Sequence, residues 1–303
     1  MSTEDLGDGG RGVIATHGVD AATMEATQSV SFGRALPHSV QAAHVRRWGW
    51  WYYAEYRIRS MRSYWHVIAG WGIGTPVLYL LAMGLGLGAL IGAHTGTVEG
   101  VPYLTFVGPS LLVTSLVMEC VSEFTYTVMG NFTWHRIYYG VSATAISPRM
   151  IAAGELVAVS LRMTAQAAIF WLILVISGNA PSLWSWLMIP IGVLASMSFG
   201  APLMAFSATR QRDDFSFSFI ERFIVMPMFL FAGTFFPLQL MPSYLQWIGW
   251  ISPMWHGTQL ARAVAFGLPL SGVAVAGHMM FLVALTAVGA WLGVVQFRRR
   301  LTR

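Results

Sequence analysis

The chain has 303 residues, of which 55% are hydrophobic and only 10% charged, with a mean hydropathy of +0.59. A soluble domain carries about 25% charged residues, so the composition argues against one and selects an integral membrane protein. All eighteen basic residues are Arg and the net charge is +5, but these charges flank apolar segments and imply no nucleic acid; the single cysteine, Cys120, leaves no internal disulfide or cysteine metal cluster.

Residues 1–44 are rich in small and polar side chains and are read as a mostly disordered, solvent-facing tail without a cleavable signal peptide, with room for a small ordered piece near Val40. Residues 45–66, VRRWGWWYYAEYRIRSMRSYWH, are aromatic and basic. On a helix, Glu55, Arg59 and Arg62 share one face, while Trp50, Tyr53, Met61 and Tyr64 lie opposite with Arg57 intruding. Such a helix suits the membrane interface; the plainer reading is a basic flank.

Six spanning segments follow, at about 67–91, 103–129, 150–176, 184–207, 219–236 and 272–297. All but the fifth are about twenty residues or longer. The fold class expected is therefore an all-α integral membrane protein with six transmembrane helices, preceded by an interfacial helix. Arg residues gather before the first segment, between the second and third, between the fourth and fifth, and after the sixth, whereas loops 92–102 and 177–183 have none. The positive-inside rule then makes both termini cytoplasmic.

Between the fifth and sixth segments the chain stays apolar, yet Pro237, Pro242 and Pro253 prevent one straight helix. Broken backbone at that depth must pack on protein or line a wet cavity. We read 237–267 as a broken, re-entrant helical hairpin on the outer side. Trp247, Trp250 and Trp255 suit the membrane interface there.

The internal loop 130–149 holds a helix candidate from Phe132 to Tyr139, ended by Gly140. Trp134, Arg136, Tyr138 and Tyr139 are expected to be exposed on it. The same residues suit docking onto a partner or resting on headgroups, and spacing does not choose between them. Asp213 and Asp214 precede a helical run and read as a cap rather than a metal site. Within the spans, Glu119 and Glu123 are four apart and share a face, as do Glu155 and Arg162. A polar track is one reading. Internal pairing of Glu119 or Glu123 with Arg162 is preferred because an unpaired charge at that depth is costly. Glu155 lies near the cytoplasmic end, where snorkelling suffices, and His278 is read as a hydrogen-bonded packing residue. No phosphate-loop, H-E-x-x-H or G-x-S-x-G motif occurs, so no catalytic, cofactor or metal residues are assigned.

The block AGTFFPLQLMPSYLQWIGWISPMWHGTQLAR resembles the permease subunits of ABC-2 type exporters, notably those of daunorubicin-type resistance, nodulation-factor export and bacterial glycolipid export. Phe236, Pro237, Leu240, Pro242, Pro253 and Arg262 occupy the family's pattern, with Met254 where Leu is usual. The run SATAISPRMIAAGE and the helix before the first span are similar too, so the resemblance covers about 45–303. It implies a domain layout of tail 1–44, connecting helix 45–66 (Trp51, Glu55, Arg59, Arg62) and permease domain 67–303. It also implies an ATPase-coupling helix built from Phe132, Trp134, His135, Arg136, Ile137, Tyr138 and Tyr139. The exit region would hold Phe236, Pro237, Pro242, Trp247, Trp250, Pro253 and Trp255.

The partners implied are two copies of a separate ABC ATPase that carries the ATP and Mg, a second permease (identical or homologous), the bilayer of a bacterial inner membrane, and an amphipathic or lipid-like substrate to be exported. This chain itself would bind no cofactor and catalyse nothing. The alternative is a proton- or ion-coupled secondary transporter using Glu119, Glu123, Glu155 and Arg162.

Overall fold

The computed structural model describes residues 38–64, 66, 70, 74–88, 97–211 and 215–302. Residues 1–37 of the expected tail, parts of the first expected span (67–69, 71–73 and 89–91) and the Asp213–Asp214 cap lie outside the described residues; the end of that tail, residues 38–44, is helical instead of disordered. Contacts divide the chain into Met1–Ala43 and His44–Arg303. Of the first unit only 38–43 are described, where helix α1 begins; the helical bundle belongs to the second.

Among the described residues the protein is all-α, apart from one isolated bridge between Val98 and Val101. Helix α1 is His38–Met61. Helix α2, Thr75–Leu81, runs on into a π-helical stretch, Ala82–Leu87. Then come α3 (Tyr103–Thr133), a short α4 (Ile137–Ser142), α5 (Pro148–Ile176) and α6 (Ser185–Thr209). Helix α7 joins Ser216–Ile220, Glu221–Val225 and Met226–Phe231 end to end. Last are α8 (Ser243–Trp250), α9 (Pro253–Phe266) and α10 (Gly272–Leu301).

Helix starts follow local chemistry. Ser147 and Ser252 each precede a proline that has no N–H to satisfy. Their side chains accept hydrogen bonds from the backbone N–H of Met150 (3.4 Å) and Met254 (3.2 Å). Helix α9 stops at Gly267, whose φ of 80° is left-handed.

Four helices, α3, α5, α6 and α10, are long and apolar enough to cross a membrane. That is fewer than the six expected. Of the first expected segment, residues 70 and 74–88 are described; they carry α2 and its π-helical continuation, Thr75–Leu87, a stretch too short to span by itself. The fifth is α7, three pieces of five, five and six residues. At 1.5 Å per residue it measures about 24 Å, short of a hydrocarbon core of about 30 Å. It ends at Phe231 because the chain turns through Gly233 at φ 75°.

Helix α6 organises the packing, lying against α3, α5, α9 and α10. Small residues allow the close approach. A Cβ on Gly200 would stand 2.3 Å from the Cys120 sulfur, and one on Gly257 would stand 2.6 Å from Ala195 Cβ. At Gly289 of α10 it would lie 2.3 Å from Pro202 Cδ of α6. The apolar window of α3 is 78% buried and that of α10 only 17%, so α3 is the interior helix. Helix α10 turns Val273, Met280, Val283, Val288 and Trp291 outward, as a lipid-facing helix does.

Candidate functional site

Two polar assemblies stand at opposite ends of this bundle. The first lies at the Arg-rich end, where α3 finishes. The N–H groups of Trp134 and His135 both donate to the Gly130 carbonyl at 2.9 Å, closing the last turn. Arg136 then adopts φ 53°, ψ 24°, a left-handed conformation that stops the helix. Helix α4 restarts at Ile137.

The expected single helix from Phe132 to Tyr139 is therefore two helical ends on either side of a sharp turn. Trp134 is 58% exposed, His135 and Arg136 are exposed, and Tyr139 is 40% exposed. Phe132 and Tyr138 are buried, and Ile137 is intermediate. The expectation that Tyr138 is presented outward is corrected: the turn at Arg136 rotates it inward. Its ring packs edge-on to Phe132 (4.5 Å) and Phe297 (5.1 Å), and its hydroxyl accepts from Asn131 Nδ2 at 3.5 Å. The exposed tip is Trp134–Arg136, with Tyr139 at its flank.

Beneath this tip lies a joint of five charges. Arg57 of α1 donates from Nε to Glu155 of α5 and from Nη2 to Glu123 of α3, each at 2.9 Å. Tyr53 donates its hydroxyl to the other Glu155 oxygen at 2.8 Å. Arg162 of α5 donates to both Glu119 and Glu123. Glu123 thus bridges both arginines, and α1, α3 and α5 are tied together. Glu155 is fully buried, so it does not snorkel as expected. Arg57, which sequence reading treated as an intrusion on an apolar face, is its partner. The signal was available: three intramembrane carboxylates outnumber Arg162, and buried charges demand partners.

Burial works against the charge on Arg57, but Glu155 and Glu123 outweigh it and hold the guanidinium above its ordinary pKa. Burial, followed by the Glu155 charge, pushes the Tyr53 and Tyr138 hydroxyls well up, so both stay neutral. Of the expected connecting-helix residues, Trp51, Arg59 and Arg62 are exposed and Glu55 is intermediate. Arg59 pairs with Glu55 one turn away, at the surface.

The second assembly sits at the opposite end. Arg262 of α9 is only 1% exposed. Its Nε donates to the Phe106 carbonyl (3.2 Å), and its Nη2 donates to those of Gly233 (2.9 Å) and Thr234 (3.2 Å). The guanidinium carbon stands 3.6 Å from the Phe106 ring centre. Arg262 thereby fixes the turn between α7 and α8 onto the start of α3. Nearby, the Nδ1 atoms of His256 and His278 are 2.7 Å apart, and His256 Nε2 lies 2.9 Å from the Trp250 carbonyl. A carbonyl only accepts, so Nε2 of His256 carries hydrogen; in the neutral pair His278 donates to His256 Nδ1. Among the expected exit residues, Pro237 and Pro253 are buried and Trp255 is intermediate; Phe236, Pro242, Trp247 and Trp250 are exposed. Among the described residues no three metal-ligating side chains converge.

The model of the family described as "ABC-2 type transporter" matches residues 50–266. Nodulation protein J of Rhizobium leguminosarum bv. viciae is 24% identical over 231 residues, 76% of this chain and 86% of the relative. The same-named proteins of Rhizobium meliloti (strain 1021) and Sinorhizobium fredii (strain NBRC 101917 / NGR234) are each 25% identical, over 76% of this chain and 85% of theirs.

Proposed function

The chain belongs to the ABC-2 type transporter family, whose members are non-catalytic membrane permeases that pair with ATPase subunits and a second permease. From that premise we propose that it is the transmembrane subunit of an ATP-driven exporter. Its cargo would be amphipathic or lipid-like, the class implied by the resemblance to drug, nodulation-factor and glycolipid export permeases. Both termini would face the cytoplasm, and two spans beyond the four long helices, near 67–91 and 219–236, would complete a six-helix domain.

The observation that carries this reading is the joint under the Trp134–Arg136 tip. A partner that pushes on the tip loads α3 directly. Through Glu123, Glu155 and Arg57 the same load reaches α5 and α1 together. Rigid helices tied by a buried ion network move as one body, which a coupling element needs. The ion-coupled alternative loses support because Glu119, Glu123 and Glu155 each already hold a guanidinium.

The test combines Trp134→Ala with Arg136→Ala in the full chain, co-expressed with its ATPase. Loss of two exposed anchors should weaken association at least about tenfold and uncouple ATP hydrolysis from export. Unchanged coupled export would refute the docking role. Labelling of a cysteine placed at position 134 from outside intact cells would refute the orientation.

A further inference from the structure

At the Arg-rich end, beside but separate from the charged joint, a cavity of about 850 Å³ opens between the ends of α3, α6 and α10. Its floor is Arg300 lying over Phe132, with the guanidinium carbon 4.1 Å from the ring centre. Arg300 Nη1 donates to the carbonyls of Ala208 (2.9 Å) and Arg210 (2.6 Å), at the end of α6. The charge is therefore fixed in place by backbone, not neutralised by a carboxylate. Arg136 and Arg299 stand exposed on the rim and form no ion pair among the described residues. No Asp or Glu among the described residues lines the cavity, whereas Thr133, Thr209, Gln211 and Gln296 supply hydroxyls and amides.

Three guanidinium groups around one polar cavity repel one another, and an anion relieves them all. Phosphate oxygens match the guanidinium fork. The size lies within the range of small-molecule sites, about 300–1,000 Å³, and leaves room for more than a phosphate. Depth then selects the source. Three membrane-length helices end around the cavity, which puts it at headgroup level. Basic pockets between spanning helices at that level hold anionic headgroups.

We propose that this cavity binds the phosphate of an anionic phospholipid whose headgroup also carries hydroxyls, with Arg136, Arg299 and Arg300 on the phosphate and the amides and threonines on the polyol. A lipid there touches Arg136 and Tyr139, so it braces the turn that forms the coupling tip. The binding site stands without the export reading; only its effect on coupling rests on that reading.

The test is native mass spectrometry of the full-length chain in detergent, with phosphatidylglycerol and phosphatidylcholine of the same acyl chains supplied together. Wild type should retain phosphatidylglycerol preferentially. The double variant Arg136→Gln, Arg299→Gln should lose that preference roughly thirtyfold, and Arg298→Gln, outside the cavity, should keep it. Thermal unfolding of each variant excludes misfolding as the cause. Equal retention of both lipids by wild type, or an unchanged preference in the double variant, overturns the proposal. Displacement of the lipid by millimolar inorganic phosphate assigns the cavity to free phosphate, and displacement by a polyglutamate peptide alone assigns it to an acidic protein segment. Either result overturns the lipid reading while leaving ATPase coupling untouched.

Discussion

Arg57 and Arg262 are both buried guanidinium groups, yet one is held by carboxylates and the other by backbone carbonyls and an aromatic ring. The carboxylates come from two different helices, so Arg57 welds separate elements. Arg262 also joins elements, through the Phe106 carbonyl of α3, but its other two acceptors, Gly233 and Thr234, are adjacent carbonyls of one turn, so it sets a backbone conformation as well. A charged partner supplies most of the stabilisation in the first case and would leave a buried charge behind if removed. In the second, the geometry of the fork matters more than the charge.

The comparison can be broken first at its strongest point. Arg57→Ala strands Glu155, which is fully buried, and should cost about 3–5 kcal/mol, read as a large loss of thermal or denaturant stability in detergent. Arg262→Lys keeps a positive charge but cannot span the Phe106 and Gly233 carbonyls or lie flat on the Phe106 ring. It should cost about 2 kcal/mol, and increased proteolysis in the 232–242 turn would report the loosened backbone. If Arg57→Lys proves as mild as Arg59→Ala, the network is not a weld.

Tyr53→Phe removes one neutral donor from Glu155 and should cost about 1.5 kcal/mol, less than either arginine. Arg59→Ala, which breaks the exposed pair with Glu55, should stay below about 0.5 kcal/mol. It is the control that separates a buried network from a surface pair by the same unfolding measurement.

The long apolar helices were readable because hydropathy over twenty residues is a local property. The Ser-Pro helix starts at Ser147 and Ser252 went unnamed in the sequence reading, although their capping chemistry lies within three residues. The break at Arg136 was not readable: a left-handed arginine is rare, and the aromatic pattern from Phe132 to Tyr139 continues across it. Tyr138 was misplaced for that reason alone. The Glu119, Glu123 and Arg162 cluster could be anticipated, because charge inside a membrane must be matched. Arg57 was missed because its partners, Glu123 and Glu155, stand 66 and 98 residues away. The carbonyl cage of Arg262 has no side-chain signature at all, since every residue has a carbonyl.

The contact between Gly289 and Pro202 has one further consequence for motion. With no side chain at Gly289 and a ring at Pro202, α10 and α6 meet backbone against ring, and even a methyl group would collide. A surface with that little clearance acts as a fulcrum. Tilting about that point keeps the contact, whereas sliding α10 along α6 would drive a neighbouring side chain into the Pro202 ring, so the pair resists translation more than rotation.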